Sequence, residues 1–192
     1  VKFGSLAMVK LLRDYDFDSV LDVGAGELRQ INRFREVGKI AQYIRLEDGD
    51  DYMKVEIEDK QECIWCSHVL EHQPNVMLFL EKLYDDLMIG GILAITVPPE
   101  KPDIASGHVT TWNAGLLIYN LVLAGFDCKD AAIRTYGYNV SVIVRKTECR
   151  TEKQIPVIDI HELQDRLPEC CRHDQGGNSK NSFAGNIQIW NW

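Results

Sequence analysis

Several things are scarce or missing in this 192-residue sequence, and each absence removes a class of function. No run of about 18 apolar residues occurs, so no helical membrane span is expected. Positive charge is short: 21 Lys and Arg stand against 29 Asp and Glu, for a formal net charge of −8. A broad nucleic-acid surface needs the opposite balance, so nucleic acid is not an expected partner, although a small basic patch is compatible with this charge. The opening Val1-Lys2-Phe3-Gly4 lacks the shape of a secretory signal, and Val1 is not a natural initiator, so the numbered chain fits a piece of a longer one. Without an export signal, the six cysteines are expected to be reduced thiols in a cytoplasm. Internal repeats and a second core are absent too, and 45% apolar composition fits a single full core.

What is there is organised around Ser19-Val20-Leu21-Asp22-Val23-Gly24-Ala25-Gly26. A short apolar run ends in an acid and two glycines, the pattern of a buried strand entering a tight turn. From Glu27 to Val37 the spacing turns helical, with Leu28, Ile31 and Phe34 on one side and Gly38 at the C-cap. A strand, Gly-rich turn and helix bring bare backbone to a ligand at the strand's carboxyl end. The dinucleotide fingerprint fails, because Arg29 stands at its third glycine. The P-loop fails, because no Gly-Lys-Ser/Thr follows. An acid before the glycines suits a cationic or amine-bearing ligand. The plainer alternative is an ordinary turn whose glycines only fix geometry.

In chain order, residues 5 to 13 read as a short helix with Ser5 as N-cap. Ile40 to Leu46 reads as a strand ending in acids. Glu47 lies at about the spacing from the glycines where an acid accepts hydrogen bonds from ribose hydroxyls, with Asp48 as its near competitor; a simple polar turn is the alternative. Residues 49 to 60 have room for one short strand around Met53 to Ile57. Gln61 to Ser67 is a strand leading into His68-Val69-Leu70-Glu71-His72. Val76, Phe79, Leu80, Leu83 and Leu87 form one helical face, capped by Asn75 and ended by Gly90-Gly91. Ile92 to Val97 is apolar throughout, as in a strand buried on both faces of a parallel sheet.

The first turn resembles motif I of class I S-adenosylmethionine-dependent methyltransferases, usually Asp-Val-Gly-x-Gly-x-Gly, with Leu28 where the third glycine often lies. Ser67 to His72, a helix, Gly90-Gly91 and the strand ending at Pro98 resemble the second half of the small-molecule methyltransferase domain. The resemblance covers roughly residues 5 to 147. It implies a three-layer α/β sandwich, Rossmann-like, with a seven-stranded, mostly parallel sheet and one antiparallel strand. Asp130 to Tyr136 and Asn139 to Lys146, paired about Gly137, would be its final hairpin. The helix from Ala114 to Ala124, capped by Asn113, is apolar nearly all round and so either deeply packed or in contact with a partner. From Thr151 the composition changes: Ile158 to Leu167 reads as a small helix, Cys170 to Gly185 as a loop, and Ile187 to Trp190 as a last strand or docked tail. The expected organisation is a methyltransferase domain over 1–148 and a C-terminal extension over 149–192 on the same domain.

The resemblance also implies a cofactor, S-adenosyl-L-methionine, released as S-adenosyl-L-homocysteine. Asp22, Gly24, Ala25 and Gly26 would cradle its amino-acid part, Glu47 or Asp48 its ribose, and backbone carbonyls at Cys66 and Ser67 would face its methionine moiety. Methyl transfer needs the reactants held in line and water kept out, and a base adds about 10²–10⁴-fold when the acceptor is a hydroxyl. Histidine is the side chain that titrates near neutrality, which makes His68, His72 and His108 the candidate bases; the first two flank the turn after the strand, and His108 lies on the acceptor rim. His108 and His72 together are the expected pair; taken singly, each is better explained as a structural histidine bonded to backbone, and Glu71 as a group that orients one of them or caps the next helix.

Cys63 and Cys66 have zinc-like spacing, but on a strand they face opposite sides, and Cys170-Cys171-Arg172-His173 has no complementary set, so no metal is expected. The expected partner is a small-molecule acceptor, methylated on oxygen, with a sugar or glycan precursor as one candidate. The acceptor site would be open, or completed by the tail or by a second subunit in a homodimer. Two other readings stay open: a non-catalytic methyltransferase-like module that binds cofactor or a partner, and a nicotinamide-dependent oxidoreductase, which Arg29 opposes.

Overall fold

A computed structural model of the chain describes residues 4–147, 160–172 and 182–192. Cys149, His173 and the 148/149 boundary lie outside the described residues. The strands are β1 (Ser19–Val23), β2 (Ile40–Ile44), β3 (Gln61–Ser67), β4 (Leu87–Val97), β5 (Ala132–Tyr136), β6 (Asn139–Arg145) and β7 (Ile189–Trp190). The helices are α1 (Ser5–Asp14), α2 (Arg29–Glu36), α3 (Val76–Asp86), α4 (Ala114–Leu123) and α5 (Ile160–Leu163). All seven strands form one sheet in the order β2-β1-β3-β4-β6-β5-β7. The first four are parallel, and β6 runs against β4. The two-residue β7 pairs antiparallel with β5.

Alternation along the strands sorts side chains into two layers. On β3, Cys63 and Trp65 join α1 and α2 through Met8, Leu11, Ile31 and Phe34. Ile64 and Cys66 face α3, α4 and α5 through Phe79, Leu83, Leu117, Leu121 and Leu163. The expected three-layer sandwich is what forms, and Cys63 and Cys66 do lie on opposite faces of the sheet. The apolar α4 is packed deeply and is roofed by the chain's own tail: Gly115 N donates to Gly185 O at 2.8 Å, and a Cβ at Gly115 would press on Gly185 Cα and Phe183.

Four local expectations are corrected. The strand around Met53 to Ile57 does not form. Lys54 N and Val55 N instead donate to Asp51 O, which closes a turn, and Tyr52 turns inward to donate to Asp86 Oδ2 at 2.7 Å. That leaves β2 as the sheet edge, and the seventh strand comes from Ile189–Trp190 at the other edge. Secondly, Gly90-Gly91 does not end the helix. The helix stops at Asp86 and β4 begins at once; the two glycines sit in a bulge, where the pairing jumps from Gln61 opposite Leu87 to Cys63 opposite Ile92. The helix end is held differently, by the buried Lys146 ammonium donating to Tyr84 O at 2.7 Å and Leu87 O at 2.8 Å. Thirdly, Gly4 rather than Ser5 is the N-cap of α1. Finally, α2 starts two residues later than expected, after Leu28. Leu28 has φ 60, the left-handed backbone that a glycine at this place would adopt without strain.

Candidate active site

The carboxyl ends of β1 and β3 open into a cavity of about 540 Å³, within the range of small-molecule sites. Ser5, Met8, Asp22, the turn Gly24 to Gly26, Trp65, Ser67 and His68 all line it. Parallel pairing of β1 with β3, Val23 opposite Cys66, aligns the turn after β1 with the residues that end β3. Gly24 has φ 79, and a Cβ there would collide with Val69 Cγ2, so the turn can lie against the loop after β3 only with glycine at this position.

Three buried polar groups of the cavity lack internal partners among the described residues. Asp22 is 2% exposed, and its Oδ2, with Trp65 Nε1 and Ser67 Oγ, makes no hydrogen bond among the described residues. Burial pushes the Asp22 carboxyl up from 3.8 to about 7. An unpartnered buried carboxylate is costly, and a cationic ligand donating to it removes the cost. Asp22, Gly24, Ala25, Gly26 and Ser67 thus meet in one space. Cys66 does not line that space; its side chain belongs to the α3 layer, where burial raises the thiol well above its usual range. Glu47 and Asp48 are exposed and outside the lining. Asp48 is clasped by Arg45, Nε to Oδ2 at 2.7 Å and Nη2 to Oδ1 at 2.8 Å, while Arg45 Nη1 donates to Gly26 O at 2.9 Å.

The three histidines divide. His68 lines the cavity and has φ 59, a strained backbone of the kind concentrated at functional sites. Its Nε2 lies 3.1 Å from Asn139 Oδ1, and its Nδ1 lies 3.3 Å from Glu71 Oε1. Asn139 is oriented by Gly4 N, which donates to Oδ1 at 2.9 Å. His72 and His108 lie outside the lining and face each other, ring centroids 4.9 Å apart. The loop after β4 brings them together: Val109 N donates to Glu71 O at 2.8 Å, and Gly107 O lies 2.8 Å from His72 Nδ1. His108 also lines a second, shallower hollow with Ile104, Val109, Trp112 and Leu116. Sequence reasoning missed Trp65, Met8 and Ser5 as cavity walls. For Trp65 the signal was available, since it shares strand parity with Ser67.

No protein-family model matches the chain, and no curated protein matches it. Many solved structures do match in fold. The 1,6-didemethyltoxoflavin-N1-methyltransferase of Burkholderia thailandensis, solved with 1,6-didemethyltoxoflavin and S-adenosylhomocysteine, is similar at a TM-score of 0.61 and 18% identity, over 76% of each chain. A S-adenosylmethionine-dependent methyltransferase from Archaeoglobus fulgidus is similar at 0.59 and 15% identity, over 74% of this chain and 94% of that one. The mitomycin 7-O-methyltransferase MmcR is similar at 0.56 and 13% identity, over 75% of this chain and 55% of that one. Methylation of nitrogen and methylation of oxygen thus both appear among the neighbours. The chain has the fold of the class I S-adenosylmethionine-dependent methyltransferases.

Proposed function

We propose that the protein transfers a methyl group from S-adenosylmethionine to a small-molecule acceptor. The observation that carries this reading is the cavity beside the Gly24–Gly26 turn, with a buried, unpartnered Asp22 carboxylate at its base. The cofactor's amine and sulfonium are cationic, which fits a site whose chief unsatisfied group is an acid. When bound, the cofactor supplies a methyl group already activated by its positive sulfur. The chain's own task is to bind, orient and dry the site.

In this reading Asp22 holds the amine, and the turn supplies backbone within reach of the amino-acid part. Ser67 Oγ donates a hydrogen bond at the end of β3. His68 alone of the three histidines lines the cavity, and it acts there as a positioning wall rather than a base, because both ring nitrogens are engaged. Asn139 and Glu71, on either side of the ring, hold its plane. We take oxygen as the methylated atom and a sugar-like hydroxyl as the acceptor class, which the polar Ser67 and His68 side chains of the lining suit.

A non-catalytic module is the second reading, favoured by one observation. Arg45 clasps Asp48, the competitor to Glu47 for the ribose hydroxyls, and Glu47 itself stands in solvent outside the cavity lining. Calorimetric titration with S-adenosylhomocysteine, with NAD as control, tests the cofactor site, and methyl transfer to a screened acceptor then separates the readings. Micromolar binding that is lost in G26V, where a side chain would enter the cavity from an otherwise open position, supports methyl transfer. No binding of S-adenosylhomocysteine by the folded wild type would sink it.

A further inference from the structure

We propose that Glu71, His72 and His108 form a binding site for a divalent first-row transition ion of the zinc type. One ligand atom from each of the three lies within 4.8 Å of the others. A tetrahedral ion with bonds of about 2.0–2.2 Å would draw such atoms to roughly 3.4 Å. The contraction needed is a small rotation of two imidazoles, and His72 has room for it, with its side chain 43% exposed.

Hydrogen bonding fixes how His72 presents itself. Gly107 O can only accept, so His72 Nδ1 carries the proton. The other nitrogen, Nε2, then holds a lone pair 3.9 Å from Glu71 Oε1. A ring held by a backbone carbonyl behind it, with the free nitrogen facing forward, is the usual posture of a metal-ligating histidine. Opposite it, Glu71 is 0% exposed, and neither carboxylate oxygen makes a hydrogen bond among the described residues. A buried carboxylate facing a lone pair is a repulsive arrangement that a cation between them reverses.

Among the described residues, His68 Nδ1 also lies close to that oxygen, at 3.3 Å. Asn139 Oδ1 already accepts from Gly4 N and, as an acceptor, places a proton on His68 Nε2. His68 therefore meets Glu71 either as an imidazolium or with a second lone pair. The imidazolium is the competing account of the buried charge, and it requires no metal.

The ligand set argues the ion's identity. Two imidazoles and one carboxylate suit zinc or its neighbours rather than calcium or magnesium, which take oxygen ligands. Three protein ligands leave a position open, as in sites that bind a water or a substrate oxygen rather than purely structural ones. The site is also prepared in advance. The loop carrying His108 is pinned to the Glu71 turn through Val109 N and Thr110 N, both donating to Glu71 O.

The proposal stands apart from the methyl-transfer reading, because its test contains no cofactor. Zinc chloride is titrated calorimetrically into the whole chain, into H72A and into H108A, with folding of each variant checked by thermal melting. The expected result is one ion per chain, with affinity weakened by at least about tenfold in each variant, as loss of one of three ligands requires. A parallel C170S variant, at a half-exposed thiol elsewhere, keeps full affinity. No zinc binding to the wild type overturns the proposal and leaves His68 as the partner of Glu71. Equal affinity in wild type, H72A and H108A overturns it as well, by moving the ion to another site.

Discussion

The two halves of the site are built by different means. The cavity half is made by contiguous residues: Asp22 to Gly26 come from one turn, and Ser67 and His68 from the end of the neighbouring parallel strand. The histidine half is assembled across the fold, with His72 and His108 joined only because a loop after β4 folds back onto the Glu71 turn. Local geometry makes the first half and tertiary docking makes the second. The first should therefore fail through backbone strain and the second through loss of particular side chains.

The largest expected effect tests the strain. In G24A a Cβ meets Val69 on a left-handed backbone, which should cost about 3 kcal/mol of stability and abolish S-adenosylhomocysteine binding, read by denaturant unfolding and calorimetry. A well-folded G24A that binds normally would break the account of the turn. Next comes charge. Asp22 has its carboxyl raised by burial from 3.8 to about 7, so between those values the folded chain keeps a proton that the unfolded chain has released. Stability contributed by this group therefore declines as pH rises from about 4 to about 7, by as much as a few kcal/mol, and D22N should flatten the decline. Binding of a cation runs the other way. Affinity for S-adenosylhomocysteine should weaken below pH 7, approaching tenfold per unit, and in D22N it should be weak at every pH.

The same comparison assigns the histidines. H68A should lower turnover by up to about 10²-fold once an acceptor is in hand, through lost positioning, with little change in cofactor affinity. H108A should slow turnover and leave S-adenosylhomocysteine affinity within about twofold, since His108 lies outside the cavity lining. A large loss of cofactor affinity in H108A would merge the two halves into one. The smallest effect is expected from L28G. Relief of about 1 kcal/mol of left-handed strain is offset by the loss of a half-buried leucine, so unfolding should shift by less than about 1 kcal/mol.

Much of this was legible in the sequence where the information is local. The β1 turn, the α3 face of Phe79, Leu80 and Leu83, and the Asn113 cap, whose side chain accepts from Leu116 N at 2.9 Å, all follow from spacing along the chain. Three things were hidden from that reading. Residues 53 to 57 have strand-like composition, yet Tyr52 is claimed by Asp86, 34 positions away, and the chain turns instead. Glu47 has the right spacing for a ribose ligand, yet Arg45 folds the segment into a short helical turn and leaves Glu47 in solvent. The Glu71, His72 and His108 cluster spans 37 positions of sequence that only the docked loop connects.

Trp65 has a consequence for watching the molecule. Its ring stands edge-on to Phe34, centroids 5.7 Å apart, and forms part of the cavity wall with its N–H unpartnered. The indole is thus a lamp set into the binding chamber, and its emission responds to whatever enters. Trp112, Trp190 and Trp192 stand away from that wall and supply a steady background. Occupancy of the cavity is readable from the protein's own light, without a labelled ligand and before any acceptor is known.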